Sequence, residues 1–511
     1  MKADMNASTT MAAPRIFVGD QWRTKDSVID EGRRAATGFQ SIGLGEGDAI
    51  ALLLKNDFPS ISASIGAQLI GAYPVPINWH YRADEVGHIL SDSHARALVV
   101  HADLLPEIQS ALPSTLPVIV AGLDKKHPMP HPHANAVCWA SFCDSKPPHP
   151  GEFHRARSSM IYTSGTTGVP KGVRRGLQTD EQYSEFSKLS EEAYKIRPGM
   201  RSLITGPLYH ALPNMAMRHA LKLAENLVIH PRFDPEKFLQ AVEAHRITHT
   251  VVVPTMFVRL LNLPQATKDR YDLSSLESVT HTAAPCPVDI KERMINWFGP
   301  VINEVYGGTE LGCVAHCSSS EWLSNRGTVG KLARGTTLQI LDNTGHPLPE
   351  GEIGEIYAHN SCFADFTYHG DPQKRSAAER NGLVSLGDMG YVKKGFLYVC
   401  DRKSDMVISG GVNIYPAEIE AALLSHDNVA DCAVFGIPHD DLGESVCAAV
   451  QLKDDTASDA EELLEFLSRK IAKYKLPRKL DFHSCLPRED SGKIFKKQLK
   501  APYWANSGRA I

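Results

Sequence analysis

The stretch Met160-Ile-Tyr-Thr-Ser-Gly-Thr-Thr-Gly-Val-Pro-Lys-Gly-Val173 decides how the rest of the chain reads. Met160 to Thr163 are apolar or strand-compatible. They run into Ser164-Gly165-Thr166-Thr167-Gly168, five small residues able to turn tightly and to offer N–H groups and hydroxyls to an anion. Lys171 stands three residues beyond the last loop glycine, where a compact ammonium can reach phosphate oxygens. The pattern is a phosphate cradle but not of the Walker type, which requires Gly-Lys-Ser/Thr at fixed spacing and a helix directly after it. Pro170 before Lys171 and Gly172 after it oppose a helix start, so Gly172-Val-Arg-Arg175 reads as the return strand of a hairpin.

A chain of 511 residues with 42% hydrophobic content exceeds what one core organises, so two or more domains are expected. A net charge of −5 argues against a general nucleic-acid or membrane-surface binder. The first ten residues lack the apolar core of a signal peptide. Ile61 to Ile77 is the most apolar run, but Gln68, Pro74 and Pro76 interrupt it, and it reads as a buried helix followed by a strand. The ten cysteines are scattered. Cys313 and Cys317 flank His316 without a second pair, which favours free thiols in a reducing cytoplasm over a metal site.

Outward from the loop, helical patterns alternate with short β-rich runs: a helix at 27–39, strand 49–54, helix near 61–71, strand 73–77, helix 83–92, strand 97–100. That alternation predicts βαβ units and a largely parallel sheet. Beyond the loop come a helix at 181–193 and a strand at 202–205 that ends in Gly206-Pro-Leu-Tyr-His210. Then follow a β-branched strand at 248–254 and a strand at 278–281 running into the small-residue turn Thr282-Ala283-Ala284-Pro285. A strand at 301–305 leads into Tyr306-Gly307-Gly308-Thr309-Glu310, which offers an aromatic face for adenine, a hydroxyl for phosphate and a hard carboxylate for Mg²⁺. Asp388, in Leu386-Gly-Asp-Met-Gly390, is placed to accept ribose hydroxyls, as acidic residues do in dinucleotide folds. Gly410-Gly411 makes a tight turn before a helix that begins near Pro416, and Lys493 sits in the turn Asp490-Ser-Gly-Lys493.

In this order the motifs resemble the adenylate-forming superfamily of acyl-CoA synthetases, peptide-synthetase adenylation domains and firefly-type luciferases, over roughly residues 27–500. The resemblance implies an α/β fold. Its large N-terminal domain (1–401) would hold parallel sheets and a β-rich subdomain. A hinge at 402–404 would lead to a small, mobile α+β domain at 405–511. It implies nucleotide contacts from Thr163, Ser164, Gly165, Thr166, Thr167, Gly168, Ala284, Tyr306, Gly307, Thr309, Asp388 and Arg402, with Mg²⁺ on Glu310 and a CoA thiol path along Gly410 and Gly411. Lys493, Lys171, Thr309 and His210 are implied in catalysis, and the hinge pivot, commonly Asp or Lys, is Ser404.

The implied activity is an ATP-dependent acid–CoA ligase of the cytoplasm that forms an acyl-AMP and then a thioester, with ATP, Mg²⁺ and CoA as its cofactors and co-substrates. Its partners would be small molecules, with no nucleic acid and no transmembrane segment, and a homodimer is compatible with the sequence. The acid is expected to be an apolar monocarboxylate, because the segments that line the acyl pocket in relatives match Leu212–Met215, Val252–Phe257, Thr282–Ala284 and Gly307–Gly308, which are apolar or small here. Two alternatives stand beside it. One is a ligase that loads a carrier protein, disfavoured by the short stretch after Lys493, and the other is a non-catalytic acyl-adenylate binder, disfavoured by Lys493 itself.

Overall fold

The computed structural model describes residues 13–123, 136–152, 157–164, 170–453, 456–488 and 494–505. The chain divides into two compact units, one of residues 1–162 and 197–231, the other of residues 163–196 and 232–511.

In the first unit five parallel strands lie in the order Tyr73–Pro76, Ala49–Leu53, Ala95–His101, Val118–Ala121, Ala136–Cys138. Every residue of Ala49–Leu53 is buried, as the unbroken apolar run requires of a parallel strand covered on both faces. The helices Lys25–Ser41 and Phe58–Leu69 cross closely, because a β-carbon at Gly32 would lie 2.5 Å from Ile65 Cγ2 and one at Gly66 would lie 2.9 Å from Ala35 Cβ. The apolar run that starts at Ile61 is therefore a buried helix and the strand after it. Among the described residues no helix is long and apolar enough to cross a membrane. The same unit carries the strand run Arg201–Ile204, Asn226–Ile229, Arg15–Val18, Gln21–Thr24, parallel except at its last pair.

In the second unit the strands His249–Val252, Ser278–His281 and Ile302–Gly308 run parallel, and Gly312–Cys317 returns antiparallel to the last. The helices Pro254–Leu261 and Val288–Phe298 connect them, completing the βαβ pattern. An antiparallel sheet of Thr336–Leu341, Gly354–Asn360, Leu383–Lys393, Glu379–Arg380 and Phe396–Arg402 forms the β-rich part. Pro170–Arg175 is a strand, paired antiparallel with Phe366–Tyr368.

Beyond Arg402 a turn at 403–405 leads to the hairpin Val407–Ser409 and Val412–Ile414. Its two-residue loop holds Gly410 at φ +57 and Gly411 at φ +80, so both positions occupy the left-handed region that a primed hairpin turn needs. The long strands Val429–His439 and Gly443–Leu452 join this hairpin and Lys479–Phe482 in one sheet. Ile419, Leu423, Leu463 and Leu467 of the helices Pro416–Leu424 and Ala460–Ser468 pack with Val434, Val446 and Val450 of that sheet into a core of their own.

Three departures from the sequence reading bear on the site. The strand at 249 stops at Val252, because Pro254 opens the next helix, at the position where a missing N–H costs nothing. The strand from Ile302 continues to Gly308 instead of turning after Val305. A bulge at Tyr306/Gly307 absorbs the extra residue, and only 309–311 form the turn. His210 is not at a strand end but at the N-cap of the helix Ala211–Leu223, six residues beyond Ile204.

Candidate active site

Three of the residues assigned to the nucleotide meet in the second unit. Tyr306, at the carboxyl end of its strand, donates its hydroxyl to Asp388 Oδ2 at 2.8 Å. Arg402 Nε stands 3.4 Å from Asp388 Oδ1, because Asp388 and Arg402 are directly opposed on neighbouring antiparallel strands. Burial pushes the Asp388 carboxyl above the ordinary aspartate range, while Arg402 and the Tyr306 hydroxyl pull it back. A buried carboxylate with one cation and one phenol beside it still has lone pairs for two further hydroxyl donors, which is what a ribose presents.

The glycines beside Tyr306 are there for space. A β-carbon at Gly307 would lie 1.8 Å from the carbonyl oxygen of Gly312, and one at Gly308 would lie 2.5 Å from Leu386 Cδ1. At the turn that follows the neighbouring strand, Thr282 Oγ1 donates to the Val305 carbonyl at 2.6 Å, tying Ala283 and Ala284 to the Tyr306 strand. Ala283 sits at φ +73, a conformation that costs a side-chain-bearing residue roughly 1–2 kcal/mol.

A second group surrounds Glu310. Tyr368 donates its hydroxyl to Glu310 Oε1 at 3.2 Å, and Lys171 Nζ lies 5.7 Å from the centre of the Tyr368 ring. Lys171 and Tyr368 come from the paired strands Pro170–Arg175 and Phe366–Tyr368, so one small ladder brings the loop lysine to the ring whose hydroxyl binds Glu310. Among the described residues no donor falls on Glu310 Oε2, which leaves a hard oxygen suited to a magnesium ion. No group of three His, Cys, Asp or Glu gathers among the described residues.

Sequence reading missed Arg175 and Tyr368. The Arg175 guanidinium donates to the carbonyls of Ala364 (2.6 Å), Thr309 (3.0 Å) and Glu310 (2.6 Å), and it lies 5.1 Å from the Phe363 ring centre. Burial lowers its pKa to about 10, against the pull of Glu310 and Asp365, so it stays charged at neutral pH. Arg175 thus fixes the backbone of the turn that carries Thr309 and Glu310. Exchange of Arg175 for methionine removes three charge-assisted hydrogen bonds, each worth roughly 1.5–3 kcal/mol. For the ATP-dependent reaction that the resemblance implies, we expect kcat/KM to fall by roughly 10- to 100-fold and the Mg²⁺ concentration for half-maximal rate to rise, with partial recovery in Arg175→Lys. A lower melting temperature with unchanged Mg²⁺ dependence would confine Arg175 to folding.

Beneath the same strands lies a buried ion pair that the sequence did not announce. Lys291 Nζ meets Glu304 Oε2 at 2.5 Å with neither group exposed to solvent, and His281, opposite Glu304 in the ladder, lies 3.6 Å from the same oxygen. Burial, reinforced by the Lys291 charge, depresses the His281 pKa well below its usual range and keeps the ring neutral. Cys317 Sγ lies 3.9 Å from Lys291 Nζ, and Cys313 and Cys317 are both buried free thiols.

Of the remaining residues, Thr163 and Ser164 end the strand Ile161–Ser164, whereas Gly165, Thr166, Thr167, Gly168 and Lys493 lie outside the described residues. Ala284 is exposed and Thr309 half-buried. A β-carbon at Gly411 would meet nothing within 4 Å. His210, in the first unit, caps a helix 4.5 Å from the Tyr209 ring.

Comparison with known proteins places the whole chain in a family. The chain matches the AMP-binding enzyme family over residues 4–365 and the AMP-binding enzyme C-terminal domain over residues 418–493. It is 31% identical to a feruloyl-CoA synthase of an Amycolatopsis species, covering 91% of each chain. It is 28% identical to a fatty acid–[acyl-carrier-protein] ligase of Streptomyces coeruleorubidus, covering 98% of this chain and 95% of the other. Among solved structures, o-succinylbenzoate CoA synthetase of Bacillus subtilis, in complex with its acyl-adenylate intermediate, superposes with a TM-score of 0.77 at 27% identity and covers 97% of this chain and 96% of that one.

Proposed function

The chain belongs to the AMP-binding enzyme family and is an AMP-forming acyl-CoA synthetase, and we propose that it activates an apolar, bulky monocarboxylate, fatty, aromatic or alicyclic, with free CoA as the acceptor. The observation that carries the nucleotide half is the meeting of Tyr306, Asp388 and Arg402. In the proposed first step a carboxylate oxygen attacks the α-phosphorus of ATP in line and pyrophosphate leaves, giving acyl-AMP. In the second a thiol displaces AMP. Negative charge builds on the phosphate oxygens in the first step, and fixed cations and donors lower its barrier. Lys171, the 163–168 loop and Lys493 would supply them, Tyr306 would face the adenine, Asp388 and Arg402 would hold the ribose, and His210 would face the acid. Mg²⁺ held by Glu310 would screen the leaving pyrophosphate. Residues 405–511 would act as a cap that turns about Arg402–Ser404, withdrawing Lys493 and presenting the Gly410–Gly411 turn to the thiol.

The acid class rests on side chains and on relatives. Two of the relatives' names specify feruloyl and fatty acids and a third specifies o-succinylbenzoate, a larger aromatic acid with a second carboxyl group, so the relatives support bulk and the side chains carry the choice of a monoacid. In this chain Met256 is buried, Met215 is half-buried, and Ala283 and Gly308 are small. Of Arg218, His219 and Arg259, the side chains able to hold a second carboxylate as cations, two are poorly placed for it. Arg259 is exposed, with its guanidinium 4.8 Å from the Phe233 ring centre, and burial together with Arg218 and Lys222 lowers the His219 pKa to about 4, leaving it uncharged. Each methylene buried should add roughly 0.8 kcal/mol, so kcat/KM is expected to climb from acetate through hexanoate to decanoate or cinnamate. A preference for malonate or acetate over every larger monoacid would overturn the assignment. The similarity to a carrier-protein ligase supports a second reading, in which the acceptor is a carrier's phosphopantetheine. Side-by-side turnover with CoA and with a phosphopantetheinylated carrier protein separates the two.

A further inference from the structure

Two buried asparagines grip the backbone of the turn that presents His210. Asn56 follows the strand Ala49–Leu53 by three residues, and its side chain is 2% exposed. Its Oδ1 accepts the Leu208 N–H at 2.9 Å, while its Nδ2 donates to the carbonyls of Gly206 and His230, each at 3.0 Å. Asn214, 4% exposed on the helix Ala211–Leu223, donates from Nδ2 to the Leu208 carbonyl at 3.0 Å, and its Oδ1 accepts the Ser159 hydroxyl at 2.9 Å. Both polar groups of Leu208 are therefore bound by side-chain amides instead of by a neighbouring strand. Two residues later, His210 closes a turn onto the Pro207 carbonyl at 3.1 Å and begins the helix.

Asn56 is itself held on both flanks by one imidazole. The Lys55 N–H donates to His101 Nδ1 at 3.0 Å, so the ring proton resides on Nε2, which lies 3.2 Å from Asp57 Oδ2. Asp57 in turn caps the helix Phe58–Leu69 through the Phe58 N–H at 2.6 Å. Ring contacts continue on the other side of the turn, with Trp79 edge-on to Tyr209 at 4.8 Å and Tyr209 4.5 Å from His210.

We infer that Asn56, braced by His101 and assisted by Asn214, is a positioning residue that sets the place of His210 and thereby the fit of the acid substrate. The inference rests on the proposed reading that His210 faces the acid. The chemistry selects asparagine. The site demands one acceptor and two donors on a short planar group, which alanine lacks, and a carboxylate would set its charge against two carbonyl oxygens. A displacement near 1 Å at a substrate-contacting group is enough to cost up to roughly 100-fold in rate.

The test compares Asn56→Ala, Asn56→Asp, Asn56→Ser, Ser159→Ala and His210→Ala, with melting temperatures and separate KM and kcat values for acid and ATP well below each melting point. Expected is a fall of roughly 10- to 100-fold in kcat/KM for the acid in both Asn56→Ala and Asn56→Asp, a KM for ATP within about two-fold of the parent, partial recovery in Asn56→Ser and a smaller loss of the same kind in Ser159→Ala. A part in folding alone would lower the melting temperature and leave the acid kinetics unchanged. If the Asn56 variants are destabilised yet keep the parent's acid kcat/KM while His210→Ala loses it, the positioning role is overturned and the reading of His210 stands. If His210→Ala keeps the parent's acid kinetics, the reading of His210 falls and the inference with it. Should Asn56→Ala fail to fold, Asn56→Ser, which keeps one donor and one acceptor against the same backbone groups, decides the same question.

Discussion

Replacement of Lys493 by alanine is expected to cut acid-dependent pyrophosphate release by roughly 10²- to 10³-fold or more while leaving thioester formation from supplied acyl-AMP nearly intact. The lysine follows Ser491 and Gly492 in a sequence that resembles a lysine-bearing motif of adenylating enzymes. In the proposed mechanism its ammonium would have a task only while charge spreads over the α-phosphate and the bridging oxygen. Thiol attack on a finished adenylate makes no such demand, so the two half-reactions should separate. The sign also fixes what a chemical change to this side chain does: acetylation removes the same charge and should reproduce the alanine phenotype. Equal loss in both half-reactions would contradict a lysine that serves one conformation only.

Glu310→Gln should show the second large effect. The exchange keeps the shape and an acceptor for the Tyr368 hydroxyl but removes the negative charge that would attract a hard cation. Adenylation is expected to slow by roughly 10- to 100-fold at a fixed millimolar Mg²⁺ and to recover partly as Mg²⁺ is raised, because weaker binding can be overcome by mass action. Arg175 binds the backbone of this turn through its carbonyls, but the Glu310 charge also steadies the Arg175 cation, so a modest fall in melting temperature is expected beside the Mg²⁺ effect. A rate lowered equally at all Mg²⁺ concentrations would move the metal elsewhere.

Much of the fold was legible because burial leaves a mark on composition. Ala49–Leu53 is apolar without interruption, and it is an interior strand of a parallel sheet; Ile61 to Leu69 carries no charged residue on any face, and it is a buried helix. Strand ends were harder. Gly307 and Gly308 suggest a turn, yet the structure uses their missing side chains to let a strand pass close to Gly312 and Leu386. The site was legible only through resemblance to a known motif order. Tyr306 and Asp388 are 82 residues apart, and no periodicity announces that one will donate to the other. Arg175 reads as a solvated charge on a return strand. Three carbonyls contributed by two distant turns make it a buried one, and that grouping exists only in three dimensions. Lys291 and Glu304 were hidden for the same reason, since each looks like a surface charge until the strand and helix are packed together.

The central claim is an adenylate intermediate passed to a thiol, and the most direct measurement of it is the product balance of a single reaction with ATP, an apolar monoacid and CoA. The predicted result is AMP, pyrophosphate and acyl-CoA formed in equal amounts, with a first turnover of pyrophosphate that appears without CoA and depends on the acid. ADP and inorganic phosphate in place of AMP and pyrophosphate, or AMP formation that never yields a thioester with any acid or thiol, would contradict it.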